Sequence, residues 1–277
     1  MGSERDTPLD PDAEVIIPGS GLSMVDARLS LADADHRGTI TVVSRNGLLP
    51  KGHRELAPTS MDAADVPFGS SLPYFLRWFH DLADDIERDG GDWRSLVDGL
   101  RPYNQRIWQS WSTHTRRQFL RHLRPRWNIH RHRLPPELHE RMDCAVARGR
   151  VQLVAGEFLD LERHGSGVRA VRPRGTRERR IMDVARVYDC GGVSVDVSAS
   201  SNPVVRELVA NGSARPDVLH IGLDVDEHCA VVDADGKPSR HLLAVGPLTR
   251  GRFFEIEAVP DIRVQCAGIA KQILAQH

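Results

Sequence analysis

Chemistry enters this sequence at a glycine turn, Gly19-Ser20-Gly21-Leu22-Ser23-Met24. The turn follows the β-branched run Glu14-Val15-Ile16-Ile17 and opens an amphipathic stretch over residues 22–31, so the pattern predicts strand, tight turn, helix. In such a turn the first glycine permits the bend and the second lets a pyrophosphate reach the backbone, where a helix N-terminus offers unpaired N–H groups and the positive end of its dipole. Met24 stands where a third glycine would bring helix and strand close, and Pro18 removes an N–H where the sheet should continue. Those two departures leave a plain strand-to-helix turn as the alternative. A second pair, Ser44-Arg45, closes the next β-branched run, Thr39-Ile40-Thr41-Val42-Val43. Enzymes that prefer NAD place Asp or Glu there to bind the ribose 2′-hydroxyl. A hydroxyl followed by a guanidinium suits a 2′-phosphate instead and favours NADP(H), the alternative being a solvated arginine after a strand.

Strand, glycine turn, helix and strand make a βαβ unit, the building block of a doubly wound parallel sheet, so the fold class is α/β. Residues 46–71 read as loop, rich in Gly and Pro. A helical block follows over 72–148, broken near Gly90-Gly91, Pro102, Pro125 and Pro135-Pro136, with Leu72, Phe75, Leu76, Phe79, Leu82, Ala83 and Ile86 forming a core-facing stripe. Beyond Gly149 the pattern turns to short strands at 151–155, 157–163 and 168–172, with a hairpin at Gly165-Ser166-Gly167 and a charged turn at Arg174, Arg177, Glu178, Arg179 and Arg180. Further strands are expected at 184–190, 218–224 and 242–245, and helices at 203–211 and 255–276.

Other chemistry has little foothold. There is no Ser-His-Asp order, H-E-x-x-H or P-loop lysine motif. Arg116, Arg117, Arg121, His122, Arg124, Arg126, His130, Arg131, His132 and Arg133 form a basic run around Trp108, Trp111 and Trp127. It reads as a solvated helix face, with neutralisation of a dinucleotide phosphate and single-stranded nucleic acid as the other uses. His130 and His132 alternate with arginine, which is poor for a cation, so no metal is expected. Lys plus Arg number 37 against 38 for Asp plus Glu among 277 residues, so net charge gives no push toward nucleic acid or anionic membrane. No stretch approaches the ~18 apolar residues of a membrane span and no leader pattern is visible, so a soluble cytoplasmic protein is expected. Cys144, Cys190, Cys229 and Cys266 form no C-x-x-C pair and are expected to be reduced.

Several segments taken together resemble a known family. They are Val15-Ile16-Ile17 through the glycine turn to Val25-Asp26-Ala27, Thr41-Val42-Val43-Ser44-Arg45-Asn46-Gly47-Leu48-Leu49-Pro50, Phe119-Leu120-Arg121-His122-Leu123-Arg124-Pro125, Ala244-Val245-Gly246-Pro247-Leu248-Thr249-Arg250-Gly251 and Glu255-Ile256-Glu257-Ala258-Val259-Pro260-Asp261. From about Asp12 onward the chain resembles the bacterial FAD/NAD(P)-binding flavoprotein oxidoreductases, distant relatives of glutathione-reductase-like and monooxygenase-like enzymes. The resemblance implies a polar tail at 1–13 and a Rossmann-like three-layer nicotinamide-binding domain at 14–190 with a helical insertion at 72–148. Residues 191–277 would be the C-terminal part of an FAD-binding domain.

It implies NADP(H) on Gly19, Ser20, Gly21, Leu22, Ser23 and Met24 with Ser44 and Arg45, and FAD near Gly246, Pro247, Ile256 and Val259. The family's Gly-Asp in the FAD strand reads Gly246-Pro247 here, and its Thr-Gly-Pro turn reads within Asp189-Cys190-Gly191-Gly192-Val193. The implied activity is hydride transfer between NADPH and flavin, with no acid or base named. The chain is also expected to be N-terminally truncated, a separate polypeptide supplying the rest of the FAD domain. The alternative is a catalytically inactive nucleotide-binding or interaction protein.

Overall fold

A computed structural model describes residues 8–160, 168–173, 175, 180–192 and 196–275. The hairpin expected at Gly165-Ser166-Gly167, most of the charged turn at 174–179, Val193 and the first half of the N-terminal tail lie outside the described residues. The chain runs β1 (Val15–Pro18), α1 (Leu22–Asp33), β2 (Ile40–Ser44), α2 (Leu72–Arg88), α3 (Trp93–Gly99), α4 (Asn104–Ser110) and α5 (Thr113–Gln118). It continues with α6 (Arg124–Arg131), α7 (Pro136–Ala147), β3 (Val151–Asp160), β4 (Val168–Pro173), β5 (Arg180–Asp183) and β6 (Arg186–Val187). The remainder is α8 (Pro203–Ala210), β7 (Ala230–Val232), β8 (Pro238–Leu243) and α9 (Val259–Ala275).

Two compact units result, Met1–Leu56 with Leu123–Gly192 and Ala57–His122 with Val193–His277. The first unit is a six-stranded sheet in the order β5-β4-β3-β2-β1-β6. β6, β1, β2 and β3 are parallel, while β4 and β5 extend the sheet antiparallel from the end of β3. Its strands are β-branched because they are buried on both faces, as a parallel sheet requires. On one face Val15, Ile17, Ile40, Val42 and Val151 pack with Met24, Val25 and Leu31 of α1 and Met142 and Ala145 of α7. On the other, Ile16, Val43 and Val184 pack with Val154, Phe158 and Met182. Parallel strands, a crossover helix and this strand order make the first unit a Rossmann-type α/β fold.

Pro18 is tolerated for a local reason. Its carbonyl accepts from Cys190 N–H at 2.9 Å while Gly19 N–H bonds the Val43 carbonyl at 2.8 Å, so the missing donor falls on the side of the two-residue edge strand β6.

In the second unit the sheet is the two-stranded β7–β8 hairpin, and aromatic residues pack the helices. Trp108 stacks on Phe254 at 4.6 Å, Phe119 meets Phe254 edge-on at 5.5 Å, and Trp111 meets Phe75 at 5.2 Å. The Trp108 indole N–H also donates to the Gly251 carbonyl at 2.8 Å. A second cluster, including Val197, Val205, Leu223, Val225 and Val231, fills the space around the β7–β8 hairpin. These contacts divide the chain into units whose bounds differ from those of the expected domains. The helical block does not stay whole as an insertion: α2 to α5 pack with the C-terminal region, because Trp108 and Phe119 find their aromatic partner in Phe254, while α7 packs on the sheet of the first unit.

Three local expectations also change. Residues 217–224 form a loop rather than a strand, because the Asp217 carboxylate accepts from Leu219, Ile221 and Gly222 N–H and so competes for the groups a ladder would use. Residues 184–190 hold only the short β6, and β5 precedes them where the charged turn was expected to continue. The strand expected at 242–245 lies earlier, as β8, and pairs with β7 alone.

Candidate nucleotide-binding site

The glycine turn is built as its spacing requires. Gly19 has φ +96°, and a Cβ there would stand 2.0 Å from the Cys190 carbonyl oxygen, so only glycine lets β1 leave the sheet beside the chain that follows β6. Gly21 differs: its φ is −86°, and a Cβ would meet nothing within 4 Å. The open space there is what an incoming group needs. Gly21 is the N-cap of α1, no side chain caps the helix, and no acidic residue occupies its first turn. The first helical bond to the cap carbonyl comes from Met24 N–H at 3.1 Å, and among the described residues the amides of Leu22 and Ser23 have no acceptor. Leu22 and Ser23 are exposed, whereas Met24, in the third glycine's place, is fully buried in the core beneath α1.

Ser20 and Ser44 are brought together across 24 positions of sequence. The Ser20 hydroxyl donates to Ser44 Oγ at 2.9 Å, and Ser44 Oγ also accepts from Gly47 N–H at 3.1 Å. One bond therefore ties the glycine turn to the end of β2. Arg45, the next residue, is exposed and forms no ion pair with the described residues. Helix amides with no acceptor among the described residues, a bonded hydroxyl pair and a guanidinium without an ion pair among those residues thus stand at the ends of β1 and β2, donors of the kind that a phosphorylated ligand would need.

No protein-family model matches this sequence, and none of the curated proteins is similar to it. Solved structures are. The ornithine N-hydroxylase KtzI of Kutzneria sp. 744, solved with reduced FAD, NADP+ and L-ornithine, superposes with a TM-score of 0.55 at 12% identity, covering 98% of this chain and 56% of that one. The L-lysine 6-monooxygenase of Pseudomonas syringae gives 0.51 at 15% identity, covering 93% and 53%. The likeness is one of fold. The chain spans about half the length of these enzymes.

The residues expected to approach FAD lie in the second unit. Gly246 is buried with φ +66° and opens a 3-10 turn, Gly246–Thr249, directly after the hairpin. Its N–H donates to Gln265 Oε1 at 2.7 Å, and Gln265 Nε2 donates on to Thr249 Oγ1 at 3.0 Å and Cys229 Sγ at 3.3 Å. Pro247 is exposed, Ile256 is buried, and Val259 is the exposed first residue of α9. That helix offers little to an anion, since Pro260 has no N–H and Asp261 is an acid in its first turn, paired with Arg101 at 3.3 Å.

Part of the basic run is bonded to nearby backbone. Arg116 turns inward, with Nε donating to the Trp108 carbonyl at 2.8 Å and Nη2 to the Gln109 carbonyl at 2.9 Å, and burial lowers its pKa. Arg117 donates to the Val218 carbonyl, and His130 bonds the Arg126 carbonyl within α6. Among the described residues no group of three or more His, Cys, Asp or Glu could hold a metal ion, and no helix is long and apolar enough to cross a membrane.

Sequence reasoning missed the Ser20–Ser44 bond. Both hydroxyls stood in the motifs already marked, and two serines, one in a glycine turn and one at the end of the neighbouring strand, are the signal that could have found it. It also missed Cys190, whose carbonyl presses on Gly19. Burial raises this thiol's pKa, and Asp189 and Asp26 raise it further.

Proposed function

We propose that the first unit binds NADP(H) and that the chain is the nicotinamide-binding portion of a flavin-dependent oxidoreductase. The observation that carries the reading is the Ser20–Ser44 hydrogen bond with Arg45, which forms no ion pair among the described residues, next to it in the chain. It sets a guanidinium and two hydroxyls at the end of β2, where the adenosine ribose lies when a pyrophosphate rests on the first helix of a Rossmann unit. Gly21 admits the pyrophosphate, the Leu22 and Ser23 amides bind it, and Arg45 with Ser44 takes the 2′-phosphate. The bound nicotinamide supplies a hydride for a flavin, and the fold likeness to flavin- and NADP-bearing enzymes supports that acceptor.

A second reading rests on Gly246. With its N–H given to Gln265 and an acid in the first turn of α9, the second unit presents few donors to a flavin. That favours a nucleotide-binding protein without redox activity.

Titrating the purified chain with NADPH and NADH by tryptophan fluorescence tests the first reading. NADPH binding that exceeds NADH binding about tenfold or more, and loses that margin in Arg45→Glu, is the expected result. Equal affinity for both nucleotides, or none for either at millimolar concentration, overturns it. Added FAD decides between the two readings: a bound yellow chromophore reduced by NADPH supports the oxidoreductase, and a colourless chain that still binds NADPH supports the inert protein.

A further inference from the structure

The second unit holds a cavity of about 330 Å³ whose lining includes Gln109, Arg116, Asp217, Asp224, Gly251 and Arg252. Its acids are already satisfied. Asp217 is 6% exposed and its carboxylate accepts three backbone N–H bonds, from Leu219, Ile221 and Gly222, at 2.7 to 2.8 Å. Gly251 lies so close that a Cβ there would be 2.5 Å from Asp217 Cγ. Asp224 Oδ2 is clamped by Arg215 through Nε at 2.8 Å and Nη2 at 2.7 Å.

The bases are not satisfied to the same degree. Arg116 is fixed by the two carbonyls that take its Nε and Nη2, and sits 5.3 Å from the centre of the Trp108 ring, which leaves Nη1 for a ligand. Arg252 has a buried Nε with no hydrogen-bond partner among the described residues, and its ion pair with Glu227 is stretched to 4.0 Å. A buried donor left unbonded destabilises the fold, and a ligand that accepts from it relieves that cost. Burial lowers the Arg116 pKa, Asp217 opposes that shift, and Arg252 adds to it, so the two guanidinium groups sense each other's charge.

We propose that this cavity binds the carboxylate of a small organic acid between the Arg116 and Arg252 guanidinium groups. A planar carboxylate matches the guanidinium fork. Two carboxylates in the same wall disfavour a ligand with several negative charges, which sets a mono-anion above a di- or triphosphate. The volume lies at the lower end for ligand pockets, so the acid has few carbons.

The test is titration of the whole chain with acetate, and separately with inorganic phosphate, against chloride at constant ionic strength. Tryptophan fluorescence serves as the readout because Trp108 lies beneath Arg116. A saturable change with acetate that weakens about tenfold in Arg252→Gln, while the NADPH titration of that variant matches the unsubstituted chain, is the expected result. Arg252→Lys keeps the charge without the buried Nε, and is expected to weaken acetate about threefold should the glutamine variant fail to fold. Saturation by phosphate but not acetate overturns the carboxylate assignment. No saturable change with either anion, or identical acetate curves in both Arg252 variants and the unsubstituted chain, overturns the site. Loss of NADPH binding alone would count against the glycine turn and leave this cavity standing.

Discussion

Gly19 and Gly246 are both glycines at positive φ in the turn that follows a strand, yet the two turns differ in what they do with their donors. At Gly19 the turn is locked by sterics: the Cys190 carbonyl occupies the place of a Cβ, and the amides beyond, at Leu22 and Ser23, stay open. At Gly246 the turn is locked by hydrogen bonds, and the Gln265 side chain takes the glycine's own N–H. A backbone turn is a binding site only if something other than its own donors holds its shape. The same contrast separates the two units. One is organised by a buried parallel sheet that leaves its strand ends free, the other by aromatic contacts and side-chain bonds that saturate its loops.

The sharpest way to break this comparison is at Gly19. Gly19→Ala drives a methyl into the Cys190 carbonyl and is expected to cost about 3 kcal/mol or more, read as a fall in the chemical-denaturation midpoint. Gly246→Ala meets only Ile262 Cδ1 at 3.5 Å, so it should cost about 1 kcal/mol, from the positive φ alone. Equal losses at the two glycines would remove the steric distinction.

Next in size is Arg45→Glu, expected to weaken NADPH by about 100-fold and NADH only a few-fold, without lowering thermal stability, because Arg45 is exposed and makes no ion pair with the described residues. Gln265→Ala tests the other turn. It strands the Gly246 N–H and is expected to cost about 1–2 kcal/mol in stability while leaving NADPH affinity unchanged in the same fluorescence titration.

The smallest effect concerns the thiols. Burial raises the pKa of Cys190 and Cys229, so both folded thiols hold their proton more tightly than the unfolded chain does. Their contribution to stability is complete below the ordinary thiol pKa and is lost as pH rises through the raised folded values, so denaturation midpoints should decline in mildly alkaline buffer. Iodoacetamide near neutral pH should modify the exposed Cys144 and Cys266 first, with Cys190 and Cys229 following only as pH increases, a sequence peptide mass mapping would reveal.

Local pattern was enough for part of this molecule. The β-branched runs ending at Ile17 and Ser44, the glycine turn between them and the apolar stripe of α2 each carry their signal within a few residues, so strand, turn and helix were legible there. The start of α8 was equally local: Asn202 accepts from Val204 and Val205 N–H, just before Pro203 at the first helical position.

What only the tertiary structure decided depends on partners distant in sequence. The helical block divides because Trp108 finds Phe254 and Gly251 more than 140 positions away. Residues 217–224 are a loop because one carboxylate gathers three amides, an option that β-branched spacing cannot reveal. That Ser44 is bonded to Ser20, and that Arg45 forms no ion pair among the described residues, is likewise known only from the fold, and the proposed ligand role of Arg45 rests on it. Backbone propensity is settled between near neighbours, whereas which hydrogen-bonding groups remain unspent is known only once every distant partner is in place.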